Sequence, residues 1–339
     1  MKAVRAMSLS VFAAALSVWS TAMAADYRIV DRIKVPDGGF DYAAFDPQMG
    51  RVYMARPDFT TVIDVKTGAV SQLTSGSGGH MALAIPGTTL VLLPQRQGSI
   101  RLADAVKDTV VADLPGGTDP DAAVYDPFSK LVFVVNKGSG EATVVDPLAH
   151  KVVASIPIGG VLQFPASDGA GHVFVTVDSV PEIAVVDVRA LKVTARYKLD
   201  GCKGASGLAY AAQSKLLISG CTSGLAKVLQ ASTGKEEASL PIGLGADATF
   251  YDPVRKLAFI PCGRDGVLEV ISLADPAHIS VVQQVTTLQG SRTGTVDPQT
   301  GRVYLMSSKP DPSAVPAPGA RGLPRLPGSY EVLVVGPPG

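Results

Sequence analysis

The sequence predicts an all-β fold: a seven-bladed β-propeller of four-stranded blades, with the N-terminal strand completing the last blade. Three observations predict it. A turn phrase recurs seven times at intervals of 40 to 45 residues, near positions 46, 86, 126, 168, 211, 252 and 297. Each interval holds short β-branched runs bounded by Gly, Pro and Asp, and nothing long enough shows a helical period. The two ends of the chain are complementary, each lacking what the other supplies. Repetition of four strands over about 40 to 45 residues is the pattern of a propeller blade.

Taken in order, residues 1–24 read as a signal peptide. Lys2 and Arg5 form a positive start, Met7 to Trp19 is an apolar run, and Ala22-Met23-Ala24 gives a small-x-small cleavage pattern. The run is too short for a membrane span, so a periplasmic or secreted protein without membrane insertion is expected. The remainder, 25–339, reads as one propeller domain, expected to be a monomer. It opens with Tyr27 to Val35, an outermost strand with no predecessors. The turn phrase then reads Ala-Ala-Phe-Asp46-Pro47 before Arg51-Val-Tyr-Met, and Ala-Val-Tyr-Asp126-Pro127 before Lys130-Leu-Val-Phe-Val. It returns as Thr-Phe-Tyr-Asp252-Pro253 and as Gly-Thr-Val-Asp297-Pro298, with weaker copies at Pro86, Asp168 and Ala212.

Each copy continues into a second β-branched pair, for example Ala142-Thr-Val-Val-Asp146 followed by Lys151-Val-Val-Ala-Ser-Ile. The last unit ends after its third strand, near Val335, so the N-terminal strand completes it and leaves no unpaired edge. Between its second and third strands lies a Pro-rich surface loop at about 309–329.

These phrases, Asp-Pro…Arg-Val-Tyr, Val-Val-Asn136 and Val-Val-Asp146…Lys-Val-Val-Ala-Ser-Ile-Pro-Ile-Gly, resemble the YVTN-type repeats of exported seven-bladed propellers. The resemblance covers essentially the whole of 25–339. It implies the same fold and an exported binding protein, within a fold that also serves unrelated enzymes. The chain departs from the motif in that only Asn136 keeps the repeat's asparagine.

Thirty basic and thirty acidic residues give no net charge, which excludes a phosphate-tracking nucleic-acid binder. Aligning the seven units on their turns places one polar residue from each at the start of the innermost strand: Asp41, His80, Asp121, Gln163, Ser206, Asp247 and Arg292. Crowded around one channel mouth, they can bind a polar small molecule or a cation. The plainer reading is that they cap strand ends and hold water. Connections between second and third strands reach the same face and carry a basic collar of Arg56, Arg96, Lys137, Arg264 and Lys309.

Asp46, Asp126, Asp252 and Asp297, with Asp64, Asp146 and Asp187, read as turn formers rather than catalysts. Cys202 and Cys221 make the most economical disulfide, with Cys221–Cys262 the competitor. Zinc spacing, the nucleophile elbow, the P-loop and the dinucleotide fingerprint do not occur.

The expected function is therefore an exported, non-catalytic binding or scaffold propeller, whose mouth face recognises a small molecule, a peptide or a periplasmic protein. No cofactor is expected. The alternatives are a metal-dependent, lactonase-like hydrolase using Asp41, Asp121, Asp247 and His80, or an accessory subunit of a periplasmic oxidoreductase.

Overall fold

The computed structural model describes residues 26–315 and 324–337. The leader expected at 1–24 lies outside the described residues, as does the 316–323 part of the Pro-rich loop. Seven four-stranded antiparallel sheets follow one another along the chain, and successive innermost strands pack side by side around an axis. Blade 3 is representative: Pro120–Asp126, Leu131–Asn136, Glu141–Asp146 and Lys151–Pro157, innermost to outermost. A single turn of 3-10 helix, Thr74–Gly76, interrupts the β-structure among the described residues, and no helix there is long and apolar enough to cross a membrane.

Burial follows radial position. A second strand is sandwiched between neighbouring blades and reads as a continuous apolar run, as Leu131–Asn136 does, with all but its first residue buried. An outermost strand has one solvated face and alternates, as Lys151–Pro157 does. Tyr53, Phe133, Phe259 and Tyr304 fill the space between blades.

The repeated aspartates form turns. Asp46 accepts the backbone N–H groups of Gln48 (2.9 Å) and Met49 (3.1 Å), and Asp252 accepts that of Val254 (2.8 Å). Asp64, Asp146 and Asp187 do the same at the outer turns. These short loops all lie at one end of the blades, and the mouth residues lie at the other.

Blade 7 is built from both ends of the chain: Gly294–Asp297, Arg302–Ser307, Glu331–Gly336 and then Arg28–Lys34. Arg28 pairs with Gly336 and Lys34 with Glu331, and the Arg32 guanidinium donates to Glu331 at 2.6 Å. Tyr27 adds a clasp to blade 6 through two hydrogen bonds with the Gln283 amide (2.8 and 2.7 Å).

Candidate functional site

The backbone seats the mouth residues before their side chains act. The amide of Asp41 donates to Ala55 O (3.0 Å) and that of His80 to Pro94 O (2.9 Å), so each residue is held by the second strand of its own blade. Contacts between blades then fix the ring. Tyr42 N donates to His80 O at 3.0 Å, and the Thr293 hydroxyl donates to Asp41 O at 2.9 Å.

All seven residues expected at the mouth come together there, in two linked clusters. In the first, the His80 Nδ1–H donates to Asp41 Oδ2 at 2.7 Å and stands 3.4 Å from Asp121 Oδ1. Arg96 donates to the same Asp41 oxygen at 3.0 Å. The Lys137 ammonium lies 3.8 Å from Asp121 and donates to Gln163 at 3.3 Å. In the second cluster, Arg292 Nε donates to Asp247 Oδ2 at 2.7 Å, while the Ser206 hydroxyl lies 2.9 Å from both the carbonyl and a carboxylate oxygen of Asp247. Arg292 also stands over the Phe40 ring at 5.9 Å.

Packing several carboxylates into a half-closed mouth drives their proton affinities apart. Burial pushes the Asp121 carboxyl up to about 6; the Lys137 and His80 charges oppose this, and the Asp41 and Asp247 carboxylates add to it. Burial acts to raise Asp41 too, but the His80 hydrogen bond and the charges of His80, Arg292 and Arg96 outweigh it and hold Asp41 below its ordinary value. Burial acts to lower Arg292, and the Asp247 and Asp41 carboxylates overcome it.

A pH dependence follows. A carboxyl with a raised folded-state pKa stabilises the fold while protonated, fully below its unfolded value near 3.8, and loses that contribution as pH rises through about 6. Asp121→Asn stays neutral throughout, so its stability relative to the parent protein will rise by up to about 3 kcal/mol between pH 4 and pH 7. Urea unfolding of both proteins across that window measures it, and a pH-independent gap between them refutes it.

The basic collar needs correction. Arg56 is not a mouth residue: it is 1% exposed and turned inward, donating from Nε to Gly39 O (2.6 Å) and from Nη2 to Pro36 O (2.8 Å) and Gly38 O (3.0 Å). These carbonyls belong to the segment entering blade 1, and they capture the guanidinium more favourably than solvent does at that slot. Arg96 and Lys137 belong to the carboxylate cluster rather than to an outer collar. Arg264 and Lys309 are exposed.

Three participants escape the alignment. Asp119 Oδ1 lies 3.4 Å from His80 Nε2, a buried nitrogen that makes no hydrogen bond. Asp119 adopts a left-handed backbone (φ 54°), which Asp tolerates better than most residues; the only signal for it is its place before Pro120. With Arg96, Thr118, Ser139 and Glu141 it walls a polar groove of about 390 Å³ between blades 2 and 3, extending the mouth outward. Tyr42 and Phe164 close the axis beneath the mouth, their rings edge-on at 5.1 Å.

The Cys202–Cys221 disulfide is present in blade 5, with Cα atoms 5.6 Å apart, and Cys262 is a free, buried thiol. Burial first, then the Glu269 and Asp265 charges, push that thiol far above its ordinary range, which leaves it unreactive.

No protein-family model matches the chain, and no curated protein matches it. Solved structures do. A chain of Kuenenia stuttgartiensis hydrazine synthase superimposes with a TM-score of 0.71 at 14% identity, over 80% of this chain and 94% of that one. A chain of the mitotic checkpoint complex superimposes with a TM-score of 0.74 at 11% identity, over 99% of this chain and 98% of that one. At such identities the likeness is one of fold, and with seven closed sheets it establishes the chain as a seven-bladed β-propeller.

Proposed function

We propose that the protein is an exported, non-catalytic binding propeller of the YVTN-repeat kind, which holds a small zwitterionic ligand, an amino acid or a short peptide, at its mouth. One observation carries this reading: residues from all seven blades converge there into two clusters of unlike character. The acidic cluster of Asp41, Asp119 and Asp121 suits an ammonium group. The Arg292 guanidinium, 42% exposed, suits a carboxylate. Export is supported by the leader pattern of residues 1–24 and by the disulfide. A binding rather than catalytic role is favoured because His80 Nε2, the nitrogen left for base chemistry once Asp41 holds Nδ1, faces the Asp119 carboxylate rather than a hydroxyl or thiol.

A second reading has one observation in its favour. Asp41, His80 and Asp121 each offer a ligand atom within 4.8 Å of the others, a donor set suited to a divalent metal. It leaves the Arg292–Asp247 cluster without a role, which places this reading second.

Calorimetry with L-lysine, L-arginine and glycyl-lysine tests the first reading. At least one binds saturably, and Arg292→Ala and Asp121→Asn each weaken it tenfold or more. Absence of heat from all three overturns it. One-to-one binding of Zn²⁺, lost in His80→Ala, supports the second reading in its place.

A further inference from the structure

The face opposite the mouth carries a site of different chemistry. The axial passage does not run through the ring, because Tyr42 of blade 1 meets Phe164 of blade 4 across its width. On the far side of this plug the channel opens into a cavity of about 380 Å³, walled chiefly by Tyr42, Phe45, Met81, Phe164, Phe250 and Val296. Among the described residues, none lining it is charged. Pro47 and Pro298 stand among its walls, in the turns that follow the innermost strands of blades 1 and 7, so its opening lies on the short-turn face.

An aromatic wall facing an open channel leaves dispersion contacts unmade. The blades cannot slide inward to recover them, because ring closure fixes their radius. The wall is also rigid. Phe250 is stacked on Phe259, a fully buried ring between blades, with centroids 5.9 Å apart, and Phe164 is braced by Tyr42. A pre-organised pocket loses little freedom when a ligand enters. Its volume is more than twice that of the ~150 Å³ apolar cavity that holds benzene, and lies at the lower end of the ~300–1,000 Å³ range of ligand pockets. The polar side-chain groups in its walls are hydroxyls, Thr295 among them, which can serve one hydrogen bond but no charge.

We propose that this axial cavity binds a small, uncharged aromatic molecule of one or two fused rings, which enters from the short-turn face and packs against Phe164 and Phe250 beneath Tyr42. The site is separate from the mouth: the plug divides them, and an uncharged ring offers the mouth residues nothing to recognise.

Indole is the probe, followed by calorimetry and saturation-transfer NMR on the full chain. One-to-one, saturable binding with a dissociation constant below about 1 mM is expected. Phe250→Ala removes a wall and Ala44→Leu fills the cavity; each will weaken indole at least tenfold, with circular dichroism reporting whether each variant is folded. Either variant suffices should the other fail to fold. The proposal is overturned by an absence of saturable binding, by indole affinity unchanged in a folded variant, or by binding of N-acetyltryptophanamide without binding of indole.

Discussion

Replacing Arg56 by alanine will destabilise the protein by about 3 to 5 kcal/mol, the range for breaking a buried, hydrogen-bonded charge site. The guanidinium is the hub that joins the entry segment to blade 1. It donates to three carbonyls, of Pro36, Gly38 and Gly39, and to the Thr61 hydroxyl at 3.1 Å. Its Cζ lies 5.1 Å from the centroid of the Phe59 ring and 5.9 Å from that of Tyr330. Alanine leaves those carbonyls without a donor and opens a void between the rings. Arg56→Lys will recover less than half of the loss, since one ammonium cannot reproduce the fork. Urea midpoints at neutral pH check both, and a loss under about 1 kcal/mol for alanine would refute the assignment. The mouth will loosen as well, because Phe40, beneath Arg292, follows directly on the tethered segment.

Opening the Cys202–Cys221 bond will lower stability by about 3 kcal/mol, the chain-entropy expectation for a loop of this length. The two residues are 19 apart in sequence, so the bond closes a short loop spanning the first two strands of blade 5. The double variant Cys202→Ser, Cys221→Ser and the reduced parent protein should unfold at the same urea concentration. Cys262→Ala must leave the response to reductant intact; loss of that response would show that Cys262 takes part in the bond.

The propeller was legible because most blades repeat the same local chemistry: an Asp that caps its own turn, an apolar second strand and an alternating outer strand; blade 5, whose turns hold no Asp, was read from its spacing alone. The ends of the chain supplied the closure. The seven mouth residues were legible for a related reason, since equal positions in equal repeats must meet around one axis. What escaped depends on contacts that no repeat encodes. Arg56 occupies the slot of Arg96 and Lys137, yet carbonyls from a segment 17 to 20 residues earlier turn it inward. Asp119 joins the cluster because a left-handed turn swings it back towards His80. Tyr42 and Phe164 look like any half-buried strand aromatics until the ring brings blades 1 and 4 face to face.

Because Arg32 and Glu331 stand 299 positions apart, the closing sheet is the most expensive in chain entropy, on the order of 5 kcal/mol for a loop of that size. It can zip only once six others have fixed the radius of the ring. Until then the molecule is a horseshoe with a bare hydrogen-bonding rim at Glu331–Gly336. The rim's partner, Arg28–Lys34, is an identical and available strand on every neighbouring copy. Refolding at high concentration should therefore yield exchanged dimers, each lending the other its first strand, in proportions set by dilution rather than by sequence.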